Sequence, residues 1–184
     1  IKNLDANLKL IRSDSSIWER HIRDNGKENG AKHFAYTTIT AINGLKYAVK
    51  LAETLNKYSL ADKYRKYAGL LTEGFFQNLV DAKSRTVKSA VEHTEIARFM
   101  DGAAVEAINF GIVSSDSEIA KNTIAAFDNY LTVKSRGIGY FRNCDGTHYD
   151  NQEWVVIDLR IAAALKKMLL NDKASRLVNW ITAQ

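Results

Sequence analysis

The sequence predicts an all-α chain of helical hairpins, and three observations carry that prediction. Apolar residues recur at three- and four-residue spacing through most of its length. The periodic segments are short and punctuated by turn signals such as Asn25-Gly26, Asn29-Gly30 and Asn171-Asp172. Leu45, Ala48, Leu51 and Leu55 also line up with Leu159, Ala162, Leu165 and Leu169 at one constant offset, a weak internal echo of the kind stacked hairpins produce. Such stacks close into toroids or stay open as solenoids.

Taken in order, Ile1, Leu4, Leu8 and Ile11 predict a first helix over residues 1–11. A polar loop covers 13–32, long enough to be a functional segment in a compact helical chain. Residues 34–55 form a helix with Ile39, Ile42, Leu45, Ala48, Val49, Ala52 and Leu55 on one stripe. Its hairpin partner spans 60–80, with Tyr64, Tyr67, Ala68, Leu71, Phe75 and Leu79 inward. The pattern weakens over 81–100, where 85–88 reads as a short extended piece. Helices follow at 102–111 and 116–131, the second opened by a Ser115/Glu118 capping box. A loop over 134–152 holds Gly137, Gly139 and Gly146, then come a helix at 153–170 and a last one still running at Trp180.

Composition bounds the function. With 184 residues, 46% hydrophobic and 26% charged, residues 1–184 read as a single domain with a real core. No apolar run approaches the ~18 residues of a membrane helix, so no membrane role is expected. Cys144 is the only cysteine, which excludes an internal disulfide and fits either redox compartment. The four histidines are scattered without i, i+4 pairing, and no glycine-rich phosphate cradle exists, so neither a metal nor a cofactor is expected. The net charge of +5 comes from interspersed acids and bases rather than a basic tail. The Lys-Tyr pairs at 57–58, 63–64 and 66–67 could serve nucleic acid, but Tyr64 and Tyr67 fit the buried stripe with snorkelling lysines, and no nucleic-acid partner is expected. The chain begins at Ile1 without methionine or leader, and is read as a piece of a longer polypeptide.

Two constellations could carry chemistry. Glu19 follows Trp18 inside the long loop, and an indole face beside a carboxyl raises its pKa as a general acid requires. The other reading makes Trp18 a loop anchor and pairs Glu19 with Arg20 or Arg23 in solvent. Residues 139–154 gather aromatics, amides, acids and Arg142 in a glycine-containing loop, the chemistry that stacks on pyranose faces and reads hydroxyls. A structural reading of that segment coexists: Asn151 as N-cap, Glu153 in the first turn and Trp154 in the core.

Ile17-Trp18-Glu19, then Lys32-His33-Phe34-Ala35-Tyr36-Thr37, resembles the catalytic-acid segment of glucoamylase-like enzymes, family 15 of the glycoside hydrolases. Met100-Asp101-Gly102-Ala103-Ala104 resembles that family's helix start, and the span from Arg142 to Trp154 is similar to its sugar-binding loop. The resemblance implies part of an (α/α)6 toroid, truncated at both ends, in an inverting exo-acting enzyme that releases glucose from α-glucosidic substrates. It implies Glu19 as general acid, with Trp18, Arg20, Arg142, Asp145, Tyr149 and Trp154 contacting substrate. Arg20 stands where many relatives carry a second glutamate. The general base is expected in the remainder of the same toroid, Glu153 being the one substitute on these motifs, and the isolated chain is expected to be inactive. The implied partner is an α-glucan or α-glucoside. Trp18–Glu19 and Arg142–Trp154 should then converge on one hexose-shaped pocket. The alternative is a non-catalytic helical-repeat domain that binds partners on a concave face.

Overall fold

The structure is a computed structural model and describes residues 2–18, 31–95, 99–144 and 152–184. The expected first helix is instead a β-hairpin. Strand β1, Leu4–Asp5, pairs antiparallel with β2, Leu10–Ile11, placing Leu4 opposite Ile11 and Asp5 opposite Leu10. The cause is local: Asp5 Oδ1 accepts from the backbone N–H groups of Asn7 (2.9 Å) and Leu8 (3.1 Å), a turn that competes with helix. Lys9 then takes the left-handed region at φ 55°. Leu4, Leu8 and Ile11 still reach the core from the hairpin, but the fully buried residue is Leu10, which the helical stripe omitted.

Helix α1, Ala35–Thr54, and α2, Tyr58–Asn78, form the long hairpin the periodicity predicts. Ile39, Ile42, Leu71, Phe75 and Leu79 are fully buried between them and their neighbours. The stripe ends earlier than expected, because Leu51 and Leu55 are more than half exposed near the α1–α2 turn. The β-hairpin lies so close on α2 that a Cβ at Gly74 would stand 2.2 Å from the Lys9 carbonyl oxygen. Asn78 Nδ2 secures the same contact by donating to the Leu8 carbonyl at 3.0 Å.

Residues 79–95 are irregular, with bridges Val80 to Val87 and Phe34 to Ala90, Val87 lying in the segment 85–88 read as extended. A 3-10 turn, Gly102–Val105, runs into the short helix α3, Glu106–Asn109. Helix α4, Glu118–Tyr130, has its cap two residues later than the Ser115 box: Ser117 Oγ accepts from Ala120 N at 3.2 Å. Helices α5, Val155–Lys167, and α6, Asn171–Thr182, complete the order. The internal echo does not carry over to packing, since Leu51 is exposed where its counterpart Leu165 is fully buried.

Helix α1, the 3-10/α3 segment and α5 pack side by side as one row, with α2 against α1, α4 against the 3-10 turn and α6 against α5. The row's N-terminal ends, Ala35, Gly102 and Val155, are fed by segments stitched together through bridges Asp14 to Lys32, Asp101 to Asn143 and Phe141 to Glu153. No helix among the described residues is long and apolar enough to cross a membrane.

Candidate functional site

The stitched segments bring side chains together where the helix row begins. Asp14 organises the first of them: its Oδ1 accepts from Ser16 N (2.6 Å) and from the Thr37 hydroxyl (3.0 Å). This fixes the approach to Trp18, whose indole Nε1 donates to Asp101 Oδ1 at 2.9 Å. Asp101 is 3% exposed and also caps the 3-10 turn, accepting from Ala103 N at 2.8 Å. The Arg142 carbonyl accepts from Gly102 N at 2.8 Å, so the loop strand is tied to the same turn.

The result is a compact cluster. The rings of Trp18 and Trp154 lie 5.7 Å apart between centroids at 58°. The Arg142 guanidinium sits over both, with Cζ 5.1 Å from the Trp18 ring and 4.7 Å from that of Trp154. Stacking on indole holds a guanidinium in a defined plane. Cys144 supports the segment as its Sγ accepts from Met100 N at 3.1 Å.

Of the residues assigned from sequence, the structure thus assembles Trp18, Arg142 and Trp154. Glu19, Arg20, Asp145 and Tyr149 lie outside the described residues, as does the expected cap Asn151. Trp154 itself occupies the N-cap position of α5. Glu153 has both carboxylate oxygens engaged: Oε2 by Arg136 Nη1 and Oε1 by the Trp180 indole N–H at 2.7 Å.

Two acids escaped the sequence reading as individual site residues. Asp101 lay within a quoted motif, and an Asp just before Gly-Ala-Ala is a cap signal. Asp158 is fully buried on α5, where its Oδ1 accepts from Tyr140 N at 2.8 Å. Burial, and then the neighbouring Glu153 carboxylate, push its pKa up to about 8. Burial likewise raises the Tyr140 phenol, which donates to Asp128 Oδ1 at 2.8 Å. A groove of about 530 Å³ is lined by Asp128, Tyr140, Lys173 and Arg176 among others, but by none of the cluster residues. Among the described residues no group of three or more His, Cys, Asp or Glu is placed to hold a metal ion.

These features define a class: an all-α array of helical hairpins forming part of an (α/α)6 toroid, the architecture of its glycosidase structural neighbours. In particular, the chain is similar to a wild-type glycosidase structure with TM-score 0.73 and 19% identity, over 92% of this chain and 43% of that one. A variant of a glycosidase matches with the same values. A bacterial glucoamylase complexed with acarbose matches with TM-score 0.63 and 16% identity, over 75% of this chain and 26% of that one. The chain therefore spans less than half the length of the structures it resembles. Its sequence matches no protein-family model and no curated protein.

Proposed function

We propose that this chain carries the acid-bearing part of an inverting, exo-acting glycoside hydrolase of glucoamylase type, releasing glucose from α-glucosidic substrates. The observation that supports it is the Arg142 guanidinium lying over Trp18 and Trp154 at the ends of the helix row. Flat indole faces match the apolar faces of a pyranose, and a planar guanidinium is the cation type suited to oxygen-rich ligands.

Glu19, next in sequence to Trp18, acts as general acid and protonates the glycosidic oxygen as the bond breaks. Arg20, Asp145 and Tyr149 contribute further hydroxyl contacts. A second carboxylate activates water from the opposite face, at the roughly 6.5–9.5 Å separation inversion requires. Glu153, with both oxygens held, is assigned to anchoring, and the base to a carboxylate elsewhere in the toroid.

The test uses the protein that contains this chain, with maltose as substrate and the product anomer followed by NMR. β-Glucose as the first product, lost in Glu19→Gln, is the expected outcome. First-formed α-glucose would overturn inversion, and undiminished turnover in Glu19→Gln would remove that residue from the acid role. Failure to cleave any α-glucoside would favour a non-catalytic helical interaction domain.

A further inference from the structure

We propose that Glu153 and Asp158 form a carboxyl pair holding one proton between them, and that this pair positions Arg142 and Trp154 by clamping residues 139–142 against the start of α5. Its importance for function rests on the sugar site proposed above, since Arg142 and Trp154 belong to that site; the clamp itself is testable without any activity.

The geometry begins with an orphan. Asp158 is fully buried; its Oδ1 accepts from Tyr140 N, while Oδ2 is buried with no hydrogen-bond partner. An ionised carboxylate left in that condition is costly. A proton on Oδ2, donated to the neighbouring Glu153 carboxylate, removes that cost, because Glu153 keeps acceptor capacity beyond its bonds from Arg136 and Trp180.

The pair sits at the crossing of the loop strand and the helix start. The Tyr140 N–H donates to Asp158 and the Tyr140 carbonyl accepts from Trp154 N at 2.9 Å, and Phe141 bridges to Glu153 itself. Arg142 follows Phe141, and the Trp154 carbonyl accepts from Asp158 N at 3.1 Å. Gly139 passes directly over the Glu153 carboxyl with φ +79°, where a Cβ would meet the carboxyl carbon at 2.5 Å. The charged and titratable groups facing the pair are the Arg136 guanidinium at Glu153 and the Tyr140 phenol, which is bonded to Asp128 on α4, itself paired with Lys173 on α6. When the shared proton leaves, two carboxylates confront one another, with the Arg136 guanidinium bonded only to Glu153, and the clamp loosens.

The experiment is a pH titration of the protein containing this chain by ¹H–¹⁵N NMR, following the Tyr140 amide and the Trp154 and Trp180 indole N–H signals. In the wild type all three should shift in one common step near pH 8. Asp158→Asn, whose amide oxygen still accepts from Tyr140 and whose NH₂ donates to Glu153, should keep the low-pH positions throughout and lose the step. Glu153→Gln should move the step to lower pH, an arm that stands if Asp158→Asn fails to fold. A step that persists unchanged in either variant, or no step in the wild type, would overturn the proposal. A merely structural role for Asp158 moves none of these signals with pH.

Discussion

Trp18 and Trp154 meet with ring centroids 5.7 Å apart although one precedes α1 and the other stands at the N-cap position of α5. Arg142 lies over both rings, so each indole is held by the same cation. The cluster should behave as one unit toward a sugar. Trp154→Ala is expected to weaken α-glucoside binding about tenfold or more, equivalent to about 1.4 kcal/mol, while Trp154→Phe loses less. Arg142→Lys should cost a comparable amount, because an ammonium replaces neither the planar stack nor the fork of donors. Calorimetric titration of the protein containing this chain with maltose or a maltose-like inhibitor measures both, and equal affinity in Trp154→Ala and wild type would refute the unit.

Asp101 serves two donors at once, the Trp18 indole and the backbone N–H of Ala103. Asp101→Ala removes a cap and leaves a partly buried indole N–H unpaired, a loss of about 2–3 kcal/mol by typical values. Asp101→Asn retains an acceptor oxygen and should recover most of that stability. Urea midpoints of the two variants check this; similar midpoints for Ala and Asn would show that neither bond contributes.

Gly74 is where the β-hairpin lands on α2. An alanine there would push its methyl into the Lys9 and Leu8 carbonyl oxygens, at 2.2 and 2.6 Å, and backbone oxygens cannot swing aside. Although alanine is the better helix former, Gly74→Ala should destabilise by about 1–3 kcal/mol through overpacking. By contrast Gly69→Ala, on the same helix with nothing within 4 Å of the added carbon, should stabilise by about 0.5–1 kcal/mol. Thermal denaturation of the pair of variants separates the two signs.

The parts of the fold legible in the sequence are those where one long period decides. Helices α1 and α2 carry enough turns for the stripe through Ile39, Ile42, Leu71 and Phe75 to identify itself. The β-hairpin stayed hidden because Leu4, Leu8 and Ile11 have helical spacing, while what shapes the chain there is one carboxylate turn at Asp5. The start of α4 was ambiguous by two residues because the run 114–117 offers three serines and an aspartate, each able to cap. In the candidate site, the expectation that Trp18–Glu19 and Arg142–Trp154 converge followed from the family resemblance, and the described residues show its indole part, Trp18 against Trp154. Asp158 could not be read out, because an acid in a helix looks like a solvated face until the backbone of Tyr140 and the carboxylate of Glu153 are seen beside it.

That buried acid also sets how stability depends on pH. In the unfolded chain Asp158 releases its proton near the ordinary value of 3.8, whereas in the fold burial and Glu153 hold it to about 8. Between those values the native chain binds a proton that the unfolded chain has lost, so stability falls as pH rises through this window and levels off above it. Asp5, Asp81, Glu73 and Glu92 act in the opposite sense. Hydrogen bonds from Leu8 to Asp5, from Ser84 to Asp81, from Lys9 to Glu73 and from His33 to Glu92 lower those carboxyls, and their contribution is lost only on acidification through the normal carboxylate range. For these groups together, stability declines both as pH rises above the ordinary carboxylate range and as it falls through that range. Asp158→Asn, with no proton to bind, should flatten the alkaline slope and leave the acid limb in place. Urea midpoints collected from pH 3.8 to about 8 test this directly, and an unchanged alkaline slope in Asp158→Asn would assign that slope to other groups.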